Sequence, residues 1–193
     1  AIGVVSSDDK KEHVLSLGAK GVLNRKDFNC WGQLPTVNGP EFKDYMRESR
    51  KFGKALWEIT GNKDVDIVFE HPGESTFPVS VFVVKRGGMV VICAGTTGFN
   101  LTMDARFLWM RQKRVQGSHF ANLKQASAAN DLVINRRIDP GMSEVFPWED
   151  IPAAHEKMLD NKHLPGNMAV LVTSPKPGLR TVEDILAVNG QAS

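Results

Sequence analysis

Two short stretches carry residue types whose spacing suits a ligand-binding edge. Gly95, Thr96, Thr97 and Gly98 end the apolar run 89–94 (MVVICA) with small residues, and Gly117, Ser118 and His119 end a second run that starts at Arg114. In a doubly wound sheet ligands lie outside the carboxyl ends of the strands, where backbone without bulky side chains can approach them closely. A lone histidine after a strand is most often structural, yet His119 follows Gly-Ser at such an end, so both strand ends are candidates for an active-site edge. A third segment, His71-Pro72-Gly73, closes another strand-like run. The densest basic cluster is Arg111, Lys113 and Arg114. A phosphate-rich ligand suits that cluster, and so does plain solvation. Phe107 and Trp109 beside it read as core or interface, because an RNA-binding stripe needs more aromatics and a larger charge excess.

These residues need strands and helices in alternation to position them. Residues 2–6 read as a strand and 7–18 as a helix, with Ser7 able to cap, Asp8 and Asp9 at the positive end, and Gly18 as the stop. A strand at 21–24 comes next, then a long loop broken by Pro35, Gly39 and Pro40, and a helix over about 41–60. Residues 65–70 are a strand, 75–85 an apolar helix, and 89–94 a strand whose unbroken Val and Ile content suits burial on both faces. After His119 the pattern predicts a helix at 123–136, a turn at Asp139-Pro140-Gly141, a strand at 143–147, a helix at 151–162 and a last strand at 168–173, with a surface tail from Ser174. Alternation of this kind implies a parallel sheet.

With 193 residues the chain is long enough for a substantial core. Lys plus Arg is 24 against 22 for Asp plus Glu, a net charge of +2, so bulk charge gives no support to a nucleic-acid partner. Cys30 and Cys93 lie far apart with no zinc-type spacing, which predicts two reduced thiols, no metal and a cytoplasmic setting. Cys93 is expected to pack in the core. No apolar run approaches the roughly 20 residues that span a bilayer, so no membrane association is expected. The opening AIGVV, strand-like and without Met, predicts a piece of a longer chain.

In order, the segments DIVFEHPG, GGMVVICAG, RVQGSHFAN and FPWEDIPAAHEKMLDNKHLPGNMAVLV resemble the medium-chain dehydrogenase/reductase superfamily, entered in mid-domain. More narrowly, residues 27–35 (DFNCWGQLP), 52–61 (FGKALWEITG) and above all 104–123 (DARFLWMRQKRVQGSHFANL) resemble the crotonyl-CoA carboxylase/reductase family. The resemblance covers nearly the whole chain. It departs from the family in lacking the first sheet strand, the Gly-rich pyrophosphate turn and the N-terminal substrate domain.

The resemblance implies an α/β fold: a doubly wound, Rossmann-like parallel sheet without its first strand over residues 1–141, followed by a C-terminal part of the substrate domain over 142–193. The missing strand is central in the 3-2-1-4-5-6 order, so residues 2–6 should lack their usual neighbour and should not pair with 65–69. NAD enzymes of this architecture end the second strand in an acidic residue that bonds the ribose; here Ser6-Ser7 stands there instead. Ser7, Lys10 and Arg25 match the superfamily's positions for a 2′-phosphate, implying NADPH, with Ser7 as a mere cap and Lys10 as a solvated charge the competing reading. His71 falls on the cofactor's ribose side or is structural, Gly95 and Thr96 face the nicotinamide ribose, and Gly117 and Ser118 border the cofactor.

The implied reaction is reductive carboxylation of an enoyl-CoA, crotonyl-CoA to ethylmalonyl-CoA, with His119 helping to hold carbon dioxide and Arg111, Lys113 and Arg114 suiting an acyl-CoA. The implied partners are the N-terminal part of the same enzyme and further copies in a homo-oligomer, and the present chain alone is expected to be inactive. A plain enoyl-CoA or quinone reductase and a non-catalytic cofactor-binding domain are the alternatives.

Overall fold

In this computed structural model, which describes residues 1–172 and 174–176, strands and helices alternate as the pattern predicts. β1 (Ile2–Val5) runs through a short 3-10 turn into α1 (Lys11–Ser16) and returns as β2 (Gly21–Asn24), paired in parallel with β1 from Ile2↔Gly21 to Val5↔Asn24. Ser7 stands at the start of the 3-10 turn in extended backbone, with no side-chain capping bond. After residues 25–41 comes α2 (Phe42–Thr60), which buries Tyr45, Met46, Ser49, Phe52 and Leu56 along one stripe at helical spacing. Gly61 ends it at φ +74°, where its N–H donates to the Trp57 carbonyl.

β3 (Val65–Glu70), α3 (Phe77–Val83), β4 (Val84–Ile92), α4 (Ala105–Trp109) and β5 (Arg114–Gly117) form a second parallel set in the order β3-β4-β5. β4 starts earlier than the Gly-Gly pair suggests. Val65 pairs with Val84 and Ile67 with Met89, so β4 bulges between these pairs. The bulge needs its glycines: Gly87 has φ +70°, and a Cβ on Gly88 would stand 2.7 Å from the Asp66 carbonyl oxygen. The strand also ends sooner than expected, at Ile92, which leaves Cys93 exposed rather than in the core. The thiol's apolar type misled here, because it falls one residue beyond the last paired position.

One apolar cluster joins Phe28, Cys30, Tyr45, Met46, Phe52, Leu56 and Val79, and a second joins Phe77, Val81, Val84 and Val90. Phe107 packs against both, whereas Trp109 is exposed. Cys30 and Cys93 are free thiols.

Residues Ala1–Phe120 make one compact unit. Within it β1 pairs only with β2, and β3 only with β4, among the described residues. The outer edges of β1 and β3 instead line a shared cleft of about 1070 Å³. The strand order on its two sides, β2-β1 and β3-β4-β5, is the Rossmann order with the central strand left out.

The second unit begins at Ala121. It contains α5 (Leu123–Ile134), whose start is fixed by a capping box between Asn122 and Gln125, the parallel pair β6 (Met142–Pro147) and β7 (Asn167–Leu171), and α6 (Ile151–Leu159). Asp139 accepts from the Gly141 N–H at the expected turn. Glu144 ties β6 to α6 through Lys157 and also accepts from the Leu164 N–H at 2.7 Å. The expected strand end at Thr173 and most of the tail lie outside the described residues. No helix among the described residues is long and apolar enough to cross a membrane.

Candidate functional site

The pairing register puts Glu70, Ile92 and Gly117 side by side at the carboxyl ends of β3, β4 and β5. The residues that follow them, His71 to Gly73, Cys93 to Gly98 and Ser118 to His119, therefore share one edge of the sheet. Ser118 remains attached to it, because its N–H donates to the Ile92 carbonyl at 2.8 Å. His119 then leaves the strand with its ring against Phe120 (centroids 3.9 Å apart), both side chains open to solvent.

Backbone bonds sew the first two loops together. The Thr97 N–H and hydroxyl both donate to the Pro72 carbonyl (2.9 and 2.8 Å), the Ser75 N–H donates to Thr97 Oγ1 (3.0 Å), and the Glu74 N–H donates to the Gly98 carbonyl. A Cβ on Gly73 would lie 2.9 Å from Gly95 Cα, so bare backbone is required where the loops cross. Glu70 lies beneath this crossing, 2% exposed. Its Oε1 accepts from the Gly73 N–H (3.0 Å) and the Thr76 hydroxyl (2.5 Å), and its Oε2 accepts from the Ser80 hydroxyl. Sequence reasoning passed over Glu70. The available signal was a glutamate ending an apolar strand, with Thr76 and Ser80 following it.

On the far side of the cleft, Ser6, Lys10, Arg25 and Trp31 stand along the ends of β1 and β2, and His71 and Pro72 face the same space from β3. Lys10 and Arg25 are exposed, and neither is ion-paired among the described residues; Lys10 Nζ donates only to Ser6 Oγ, at 3.3 Å. The sequence singled out Ser7, but it is Ser6 that lines the cleft and meets the lysine.

The basic cluster is elsewhere. Arg114 pairs with Met89 at the amino ends of β5 and of the regular part of β4, the opposite edge from His119. Arg114 Nη2 reaches the Gly87 carbonyl at 3.4 Å. Lys113 is committed to the fold, its ammonium donating to the Val81 and Phe82 carbonyls (2.7 and 2.8 Å) at the end of α3. Burial pushes this lysine down to about 8. Of the sequence-predicted site residues, the structure thus gathers Lys10, Arg25 and His71 around one cleft. Gly95, Thr96, Gly117, Ser118 and His119 continue along the same edge, while Arg111, Lys113 and Arg114 stand away from it.

A family model described as zinc-binding dehydrogenase matches residues 1–135 of this chain. The chain belongs to that family. It lies within the medium-chain dehydrogenase/reductase superfamily, and its fold is the Rossmann-like α/β sheet described above. It is 68% identical over its whole length to the crotonyl-CoA carboxylase/reductase of Cereibacter sphaeroides, of which it spans 45%. A solved crotonyl-CoA carboxylase/reductase superposes with a TM-score of 0.89 at 70% identity, over 97% of this chain and 44% of that one. A 2-octenoyl-CoA carboxylase reductase, solved in complex with NADP and 2-octenoyl-CoA, superposes with a TM-score of 0.78 at 34% identity, over 97% of this chain and 41% of that one. The chain therefore spans less than half the length of these relatives. The family's description names zinc, but among the described residues no three His, Cys, Asp or Glu side chains are placed to hold a metal ion.

Proposed function

We propose that this chain is the cofactor-binding part of an NADPH-dependent enoyl-CoA carboxylase/reductase, converting crotonyl-CoA to ethylmalonyl-CoA when joined to the remainder of the enzyme. The observation that carries the reading is the pair of cations, Lys10 and Arg25, which make no ion pair among the described residues, on the cleft that His71 borders, with His119 on the same strand-end edge as His71. The cations fit a dinucleotide that bears a 2′-phosphate, and Ser6 and Ser7 leave room for it where an acidic residue would repel it. His71 borders the ribose, the bare backbone at Gly95 and Gly117 lets the dinucleotide lie close, and Thr96 and Ser118 offer hydroxyls beside it. When bound, the dinucleotide supplies a hydride to the β-carbon of the enoyl-CoA.

The residues of this chain then have two tasks: holding the reactants at attack distance, and keeping water from the α-carbon while it carries negative charge. We assign His119 to holding carbon dioxide there, so that the α-carbon forms its new bond to carbon dioxide instead of taking a proton. Its exposure in this chain leaves the ring free to meet the thioester-binding part. Arg111 and Arg114, at the other end of β5, are left for a distant phosphate of the acyl-CoA, and Lys113 is withdrawn from substrate binding because α3 occupies its ammonium. The functional division is placed at 141/142, with the later residues contributing to the substrate domain. Exposed Phe99 and Phe120, which follow the carboxyl ends of β4 and β5, are the side chains we assign to contact with that domain or with further subunits of a homo-oligomer. The setting is the cytoplasm, in keeping with the free thiols. The chain alone is expected to be inactive.

The test uses His119→Ala in the complete protein at limiting bicarbonate, following NADPH oxidation and both acyl products. Loss of one neutral hydrogen bond, about 0.5 to 1.5 kcal/mol, moves the partition from ethylmalonyl-CoA toward butyryl-CoA by roughly two- to tenfold. Two activities that fall together at a constant product ratio overturn the role of His119. A parent enzyme that oxidises NADPH with crotonyl-CoA yet incorporates no carbon-14 bicarbonate is a plain reductase, and one that binds NADPH without turnover is a cofactor-binding domain.

A further inference from the structure

Residues 28–34 leave β2 and cross to the loops that follow β3 and β4, and every second residue or so is fastened. Phe28 and Cys30 are buried in the core beside α2. The Trp31 indole N–H donates to the carbonyl of Arg25 at 2.6 Å, while its ring meets Phe52 edge-on, centroids 5.1 Å apart. The Gly32 N–H donates to the Ser75 carbonyl at 2.7 Å, Gln33 donates to the Glu74 carboxylate, and the Leu34 N–H donates to Thr102 Oγ1 at 2.9 Å. The segment is a strap across the end of the cleft, pinned at the Arg25 turn on one side and at the His71–Gly98 loops on the other.

Arg25 opens the 3-10 turn Arg25–Asp27, which is capped at its start by Asn24 Oδ1 accepting from the Lys26 N–H at 3.0 Å and closed at its other end by the Phe28 N–H donating to the Arg25 carbonyl at 3.3 Å. Nothing else among the described residues bonds the Arg25 side chain. Its guanidinium is placed by its backbone, whose carbonyl accepts from the Trp31 indole N–H at 2.6 Å and from the Phe28 N–H at 3.3 Å, the indole bond being the shorter. Trp31 also forms part of the cleft wall.

We infer that Trp31 is the positioning residue for Arg25, setting the preference of the cleft for a dinucleotide with a 2′-phosphate over one without. The inference rests on the NADPH reading above. A tryptophan there does what phenylalanine cannot: both rings fill the space against Phe52, but only the indole has a donor for the carbonyl. A loosened turn lets the guanidinium sample positions away from the phosphate, and only ligands carrying that phosphate register the difference.

The experiment is titration of the complete protein with adenosine 2′,5′-bisphosphate and with 5′-AMP by calorimetry, for the parent, Trp31→Phe, Arg25→Ala and the double variant. Trp31→Phe is expected to weaken the bisphosphate about three- to tenfold, as loss of one hydrogen bond implies, and to leave 5′-AMP unchanged. In the Arg25→Ala background the same change should have no further effect, because the tryptophan acts through the arginine. Equal weakening of both probes, or additive losses in the double variant, overturns the inference by making Trp31 a general wall of the site. A parent that does not favour the bisphosphate refutes the NADPH reading itself, whereas a parent that favours it and a Trp31→Phe that keeps the preference refute only the role of Trp31. If Trp31→Phe does not fold, Trp31→Met fills the same space without a donor and is judged by the same ratios.

Discussion

A carboxylate accepts hydrogen bonds and does not donate them, so Glu70 can serve three donors at once from a position closed to water. Glu70→Ala leaves the Gly73 N–H and two hydroxyls without that acceptor under the crossing loops, which is expected to cost about 2 to 4 kcal/mol. Glu70→Gln keeps the oxygen that serves Gly73 and Thr76, and Ser80 can reverse its hydroxyl toward the new amide, so about 1 kcal/mol or less is expected. Thermal melting of the full-length variants checks the order; equal and small losses would show that the loops do not depend on the carboxylate. The same residue shows what one-dimensional reading misses. His71 and His119 stand out by type, whereas Glu70 reads as one more charge at a strand end until its burial and its three partners are known.

Elements were legible to the extent that their causes are local. The apolar run at 65–70 marks β3, and the helical patterns at 41–60 and 123–136 mark α2 and α5, whose ends the structure fixes at Gly61 and at the Asn122 capping box. The early start of β4 was not legible, because its bulge exists to match β3 and involves the Asp66 carbonyl of another strand. The strand reading that starts at Arg114 already sets Arg114 and His119 at opposite ends of β5; what register adds is that Gly117 stands level with Ile92 and Glu70.

α4 is a short helix held by Phe107 in the core and by a cap at its start. Asp104, 6% exposed, accepts from the Arg106 N–H and pairs with the Arg106 guanidinium through both oxygens. The arginine's side-chain bond, helped by the backbone N–H, holds this carboxyl below its ordinary value. A folded value below the unfolded one, about 3.9, means that the stabilisation is complete above that pH and is lost as pH falls through the folded value. Urea unfolding of the full-length protein between pH 3 and 6 should therefore show less acid sensitivity in Asp104→Asn, which can still cap. Asp104→Ala should lose about 1 kcal/mol even at neutral pH. An unchanged acid limb in the asparagine variant would show that the exposed arginine adds nothing.

On the scale of the whole molecule, two strand edges face one cleft. Unpaired edges in a compact unit invite an extended segment, and the order β2-β1 then β3-β4-β5 asks for one parallel strand between them. The expectation from sequence that residues 2–6 would not pair with 65–69 is met. Amides of β1 and β3 that point into the cleft should exchange with deuterium quickly in the isolated 193-residue chain and slowly in the full-length protein, and the isolated chain should self-associate. Slow exchange at both edges in a monomeric isolated chain would show that the cleft needs no further strand.

This cleft also orders events in time. The β1–β2 crossover and the β3–β4–β5 crossovers close over short separations along the chain, so each side can assemble early. Contacts that a strand between them would make with both edges at once can form only after each wall exists. Those contacts then belong to the descent from the folding barrier and not to the climb. Weakening them should hasten unfolding and leave the folding rate nearly untouched, whereas changes to Phe52 or Val90, inside the walls, should slow folding itself.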